Sequence, residues 1–283
     1  MSRLIKDHSV ATVTDTPTLV CVHAHPDDEA LFTGGATSHY AALGYRVVLV
    51  TCTNGQYGID PAGRAGDDPT HDTPATRATR ASELQVAARL VGYERLVNLG
   101  FDDSGMAGWP QNHAPNAFTN CDVDASAAVL ASLFDEVGAS VVLTYDENGF
   151  YGHPDHVMAN RVARRAVDLA ASPERLYYTI VPQSVLTDFV PDAHELEIFL
   201  PAWVLEAGIG VADDLVATTL DVTDFVDVKQ AAIAAHASQI DNADLVSMDR
   251  SLFLALFGTE YYQRAWSRQV ASGDESDLFG GLS

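Results

Sequence analysis

Two stretches near the amino terminus, Thr18-Leu-Val-Cys-Val-His23 and Tyr45-Arg-Val-Val-Leu-Val-Thr-Cys-Thr53, are apolar at almost every position and rich in β-branched residues. Successive side chains of a strand point to opposite faces, so such runs fit only where both faces are covered, as in a parallel sheet sandwiched by helices. Between them, a polar segment, Gly34-Gly35 and a helical pattern reaching about Leu43 and stopped by Gly44 supply the crossover that parallel strands require. The alternation continues, predicting strands over 94–99, 140–145 and 175–181 and helices over 76–90, 123–137 and 154–171. The expected fold is α/β, a Rossmann-like, mostly parallel sheet flanked by helices.

Pro173 marks a boundary. Residues 1–173 are expected to form the main domain, and 174–283 a smaller C-terminal unit with an Ala-rich helix over 226–240. The connections 54–74 and 100–122 lack periodicity, and long loops of this kind are often functional. The tail from Gly273 is expected to be mobile. With 16 Lys plus Arg against 39 Asp plus Glu, the net charge is −23, which argues against nucleic acid or anionic lipid as a partner. No stretch approaches the ~18 apolar residues of a membrane span, and the start through Thr16 lacks a signal-peptide pattern, so a cytoplasmic protein without a membrane partner is expected. Cys21, Cys52 and Cys121 are odd in number and widely spaced, and are read as inert thiols of the core.

Two tetrapeptides carry the chemistry. His25-Pro26-Asp27-Asp28 and His153-Pro154-Asp155-His156 each follow a predicted parallel strand, and open α/β sheets bind ligands beyond the carboxyl ends of their strands. Proline suits the first turn of a helix, so each motif is read as opening one, with its residues i and i+3 on one side. Together they offer His25, Asp28 and His156, an N,O,N donor set suited to zinc with a fourth position left for water. Fe²⁺ or another divalent metal suits the same donors. Asp27, unable to point the same way as Asp28, is the expected general base, because zinc lowers the pKa of a bound water to about 7 and a nearby carboxylate can then take its proton. That chemistry fits amide hydrolysis. His153 is expected to stabilise the oxyanion, Asp155 to hold its ring and raise its pKa, and Tyr151 to donate a hydrogen bond to the same oxygen.

Each motif alone also fits a capped helix start. Glu29 is read either as a charge at a helix N-terminus or as a partner of a metal ligand. His23 is read either as a hydrogen-bonded core histidine or as a contact of the site, and His236 as a packing or capping residue. Tyr57, Trp109 and Phe150 border the loops and are read as ordinary exposed aromatics. The acidic loop from Asp60 to Asp72 is read as a solvated face, with Arg64 and Arg77 nearby.

Ala24-His25-Pro26-Asp27-Asp28-Glu29, Gly34-Gly35 and His153-Pro154-Asp155-His156 resemble the PIG-L/LmbE family of zinc-dependent de-N-acetylases. The resemblance is strongest to its actinobacterial members in mycothiol metabolism, the deacetylase of N-acetylglucosaminyl-inositol and the mycothiol conjugate amidase. It implies the same ligands, base and oxyanion residues as the residue chemistry, and adds two substrate-binding residues for sugar hydroxyls, Arg80 and Asp103. Ile59 stands where the sugar-inositol enzymes carry a glutamate, so one hydroxyl acceptor is missing and a related glycoconjugate or natural-product amino sugar is equally implied. The expected function is therefore removal of an N-acyl group from a small-molecule amino-sugar conjugate. Its alternatives are cleavage of a mycothiol-type thiol conjugate and metal-bound recognition of a glycoconjugate without turnover. A homo-oligomer is left open.

Overall fold

β1 (Thr18–His23), β2 (Arg46–Thr53), β3 (Arg95–Phe101), β4 (Ala139–Tyr145) and β5 (Arg175–Ile180) lie parallel; β7 (Thr259–Ser267) pairs antiparallel with β5, and β6 (Thr218–Asp221) pairs antiparallel with β7 at the edge. The strand order is β3-β2-β1-β4-β5-β7-β6. The computed structural model describes residues 16–189, 209–269 and 276–282. Residues 1–15, read above for a signal peptide, and 273–275 of the expected mobile tail lie outside them. Among the described residues no helix is long and apolar enough to cross a membrane.

The helices are α1 (Asp28–Ala42), α2 (Thr73–Val91), α3 (Val123–Val137), α4 (Gly149–Gly152), α5 (Pro154–Leu169), α6 (Gln183–Phe189), α7 (Val226–Ala235), α8 (Ala243–Ser247) and α9 (Arg250–Phe257). The continuous apolar runs feed two cores by strand alternation. Leu19 and Cys21 of β1 with Val47 and Leu49 of β2 pack beneath α1, α2 and α7. Val20, Val22, Val48 and Val50 pack on the other face beneath α3 and α5. Each such aliphatic side chain, fully buried, contributes about 1.5–3 kcal/mol.

α2 begins three residues earlier than its periodicity predicts, because Asp72 caps it by accepting the Ala75 N–H at 3.1 Å and Pro74 fits its first turn. α7 ends at Ala235 rather than Ile240, where the chain leaves helical geometry at His236. From residue 174 onward the chain adds β5, β6 and β7 to the same sheet. Their joint is a buried ion pair: Lys229 of α7 lies 2.7 Å from Glu260 of β7, which also accepts the N–H groups of Gly35 (2.9 Å) and Ala36 (2.8 Å) and the Tyr262 hydroxyl (2.6 Å). A Cβ at Gly35 would fall 2.6 Å from Val222 and 2.7 Å from Glu260, so glycine lets α1 approach β7.

Two expectations are corrected here. The described part of the tail is packed, with Leu278 and Phe279 buried against Tyr40 and Tyr45 and Arg175 donating to the Leu278 and Gly280 carbonyls at 3.1 and 2.6 Å. Asp60 is not solvated; it is 2% exposed. It accepts the N–H groups of Ala62, Arg64 and Asp72 and pairs with the Arg64 guanidinium at 2.6 Å, so the acidic loop is folded around it. Cys21 and Cys52 are buried and Cys121 half-buried, all three free thiols.

Candidate active site and metal centre

β1 and β4 are neighbours in the sheet, yet α1 and α5, which follow them, pack on opposite faces. The chain beyond their carboxyl ends therefore diverges around a crevice, and the two motifs meet in it. They enter differently from the expectation that both prolines open helices. Pro154 does sit in the first turn of α5, with His153 as the preceding cap. Pro26 lies outside α1, which starts only at Asp28 after Asp27 turns the backbone at φ 110°. Among the described residues Phe150, with φ 67°, is the other residue with a side chain in this region of backbone space, at a cost of about 1–3 kcal/mol each. Both lie beside the crevice.

Asp28 faces both expected partners. Its Oδ2 is 3.4 Å from His25 Nδ1 and its Oδ1 is 3.4 Å from His156 Nε2. The other nitrogen of each ring is already committed: His156 Nδ1 to the Gly149 carbonyl at 3.2 Å and His25 Nε2 to Asp155 Oδ2 at 3.2 Å. These acceptors take the ring protons, which leaves the facing nitrogens as lone pairs aimed at a carboxylate. His156 Nε2 is buried and has no hydrogen-bond partner among the described residues. Lone pairs converging in a buried space call for a cation, and the N,O,N donors fit a divalent metal. Burial opposes charge on His25, yet Asp103, Asp155 and Asp28 around it raise its pKa well above that of a free imidazole. The pocket thus favours positive charge, as proton or as metal. Nitrogens of His153, His25 and His156 also lie within 4.8 Å of one another, so His153 is a second candidate for the third donor.

Asp155 is placed differently from its expected role. Its carboxylate turns to His25 and the Ser104 N–H (2.8 Å), while only its backbone N–H reaches His153, donating to Nδ1 at 3.1 Å. Asp155 therefore orients His25, in the manner of the carboxylates that hold metal-binding histidines. It does not raise the pKa of His153, which burial, reinforced by His25 and His156, pushes well below that of a free imidazole. The N–H that Nδ1 accepts places the proton of a neutral His153 on Nε2, where it could face a developing negative charge; only the other tautomer would let Nε2 serve as the alternative metal donor. The Tyr151 ring lies 4.9 Å from that of His156 and 6.1 Å from that of His153, at the same mouth.

Asp27 pairs with Arg80 Nη2 at 3.1 Å, and its side chain is 17% exposed. Burial, opposed by Arg80 and aided by Asp28, pushes its pKa up to about 6, a value suited to a base near neutrality. Arg80 is buried and also donates to the Pro26 and Gly55 carbonyls. Asp103, equally buried, accepts the Tyr57 and Gly105 N–H groups at 3.1 and 2.8 Å and lies 3.7 Å from His25 Nε2. The two residues that the resemblance assigns to sugar hydroxyls thus spend these contacts on the loops around the site.

The model of the PIG-L family, described as GlcNAc-PI de-N-acetylase, matches residues 20–167. A 1D-myo-inositol 2-acetamido-2-deoxy-alpha-D-glucopyranoside deacetylase of Salinispora arenicola is 40% identical over 281 residues, covering 93% of this chain and 91% of that one. The chain belongs to the PIG-L family. That places it among the de-N-acetylase hydrolases. Among solved structures, N,N'-diacetylchitobiose deacetylase from Pyrococcus horikoshii shares the fold of this PIG-L chain at TM-score 0.55 and 19% identity, over 88% of this chain and 84% of that one. So does GalB, the 4-carboxy-2-hydroxymuconate hydratase of Pseudomonas putida, at TM-score 0.56 and 18% identity, over 91% and 99%. The fold carries more than one reaction, so the reaction is argued from the site.

Several residues of this PIG-L chain escape sequence reasoning. Tyr145, at the end of β4, donates to Asp28 Oδ2 at 2.7 Å, accepts the Ala24 N–H at 2.8 Å and stacks on His156 at 4.1 Å. A tyrosine closing a buried strand, whose hydroxyl needs a partner, is the signal that could have found it. Glu29 accepts the Asp27 N–H at 2.8 Å and lies 2.7 Å from His236, so its side-chain hydrogen bonds among the described residues go to none of the metal-ligand candidates. His23 is the core histidine of the two readings, bonded to Thr33 at 2.8 Å, with burial lowering its pKa to about 4. Gln239 spans the backbone of Ile59, bonding its N–H at 3.1 Å and its carbonyl at 3.2 Å.

Proposed function

We propose that this chain hydrolyses the N-acetyl amide of a small amino-sugar conjugate. The observation that carries the reading is the pairing of a buried three-donor centre, His25, Asp28 and His156, with a separate, partly exposed carboxylate beside it, Asp27, which is next to Asp28 in the chain and pairs with Arg80. A protein that only recognised a glycoconjugate would have no use for such a base. His25, Asp28 and His156 would hold a divalent cation, with zinc favoured and Fe²⁺ an alternative, which would supply a more acidic water and a polarised acyl carbonyl.

Asp27 takes a proton from the attacking water as its oxygen bonds to the acyl carbon. His153 donates its Nε2–H to the oxygen that gains charge, with Tyr151 beside it. When the carbon–nitrogen bond breaks, Asp27 returns the proton to the departing amine, leaving acetate and a free amino sugar. Arg80 keeps Asp27 aimed, and Asp103 holds the loop that meets the sugar ring.

The 40% identical relative is named for the acetamido-sugar conjugate of inositol, which makes that compound the first substrate to test. Half-buried Ile59, an apolar side chain, favours including conjugates with a different aglycone. Release of primary amine should be followed over N-acetylglucosaminyl-inositol, N-acetylglucosamine, N,N'-diacetylchitobiose and a thiol conjugate of the mycothiol type. The reading predicts amine from at least one N-acetyl sugar, with kcat/KM at least about tenfold above the free monosaccharide, since remote contacts contribute to catalysis. Cleavage confined to the thiol conjugate would assign an amidase. Saturable binding of the panel without turnover by metal-loaded protein would assign a recognition module.

A further inference from the structure

The backbone of Asp27 meets a side-chain pair formed by its near neighbour Glu29 and the distant His236. Its N–H donates to Glu29 Oε2 at 2.8 Å, and Glu29 Oε1 lies 2.7 Å from His236 Nε2. Both side chains are fully buried. Asp27 sits at φ 110° and ψ −30°, where a residue with a side chain stays only if its surroundings over-determine it. Glu29, one residue into α1, could accept that N–H unaided, but a carboxylate in one long side chain has several rotamers of similar energy. His236 selects one of them. Its Nδ1 has no partner among the described residues, so the bond to Glu29 is the polar contact that sets the ring.

The segment after α7 is held at two further points. Ser238 donates its N–H and its hydroxyl to the two oxygens of Glu83 on α2, each at 2.7 Å, and Gln239 bonds both backbone groups of Ile59 in the loop after β2. Residues 236–239 thus join α1, α2 and that loop, the three elements around Asp27 and Arg80. We propose that Glu29 and His236 are positioning residues that hold Asp27 in its strained turn and so aim its carboxylate at the attacking water. The proposal rests on Asp27 being the base; neither residue touches the donors His25, Asp28 or His156 in the contacts above.

The test uses the full metal-loaded chain with the best substrate of the panel. His236→Met removes the donor while filling its space, and His236→Gln restores an N–H in reach of Glu29. For His236→Met the expected result is a kcat lower by roughly ten- to a hundredfold, the scale of a small misplacement of a reacting group, with KM within about twofold and the metal content unchanged. His236→Gln should recover most of that loss. If His236→Met does not fold, Glu29→Ala, which removes both bonds and leaves the ring, replaces it in the comparison. A kcat within twofold of the parent, or a His236→Gln variant as slow as the donor-less one, would overturn the positioning role. Asp27→Asn measured alongside separates the two ideas: an unimpaired Asp27→Asn removes the base itself, whereas an impaired one beside a normal His236→Met removes only the positioning.

Discussion

Asp27→Asn is expected to keep its metal and to lose about 10²–10⁴-fold in kcat, the usual contribution of a positioned general base. The amide keeps the shape of the carboxylate and can still meet Arg80, so the turn at Asp27 survives, but it cannot accept a proton. KM should change little, because proton transfer is made in the transition state and not in binding. Metal content by elemental analysis and kcat on the same preparation check this. Loss of metal in parallel with activity would make Asp27 a ligand and shift the base elsewhere.

His156→Ala should instead lose the metal. Its Nε2 is buried and aimed at Asp28 with no other hydrogen-bond partner among the described residues, and the ring is held there by the Gly149 carbonyl and by stacking on Tyr145. Removal of a residue that merely supports a ligand costs about 10–100-fold in metal affinity, so removal of the ligand itself should cost at least the upper end of that range. Activity should fall with occupancy and return in part at high metal concentration. His153→Ala, the other candidate for the third donor, serves as the comparison in a metal titration. If His153→Ala loses the metal and His156→Ala keeps it, the donor set is His25, Asp28 and His153.

The sheet was legible because its central strands are buried on both faces. Runs such as Thr18–His23 have no other use, and the helix Val123–Val137 lies where its periodicity put it, with Asp122 capping one end and Gly138 the other. The motifs could be placed at strand ends for the same reason, and the strand order then brought them together. β6 and β7 were not read: β7 is mostly half-buried and carries charged and aromatic residues in turn, which gives no continuous apolar signal. Directions of side chains were least legible. Asp155 follows His153 closely in sequence, yet its position on α5 turns the carboxylate across the crevice to His25, and only coordinates reveal that. The bond between Glu29 and His236 spans 207 residues, and no local pattern announces it. For Arg80 and Asp103, which the resemblance assigns to sugar hydroxyls, the sequence does not announce the contacts made within the protein, Arg80 with Asp27 and Asp103 with His25.

The central claim is that water, directed by Asp27, cleaves an N-acetyl amide. The most direct measurement is a time course with N-acetylglucosaminyl-inositol, or the best substrate of the panel, in ¹⁸O-labelled water, following amine and acetate together. The account predicts amine and acetate in equal amounts, acetate carrying one labelled oxygen from a single turnover, and both products lost together in Asp27→Asn. Amine and acetate released at the parental rate by Asp27→Asn, or acetate without label, would contradict it.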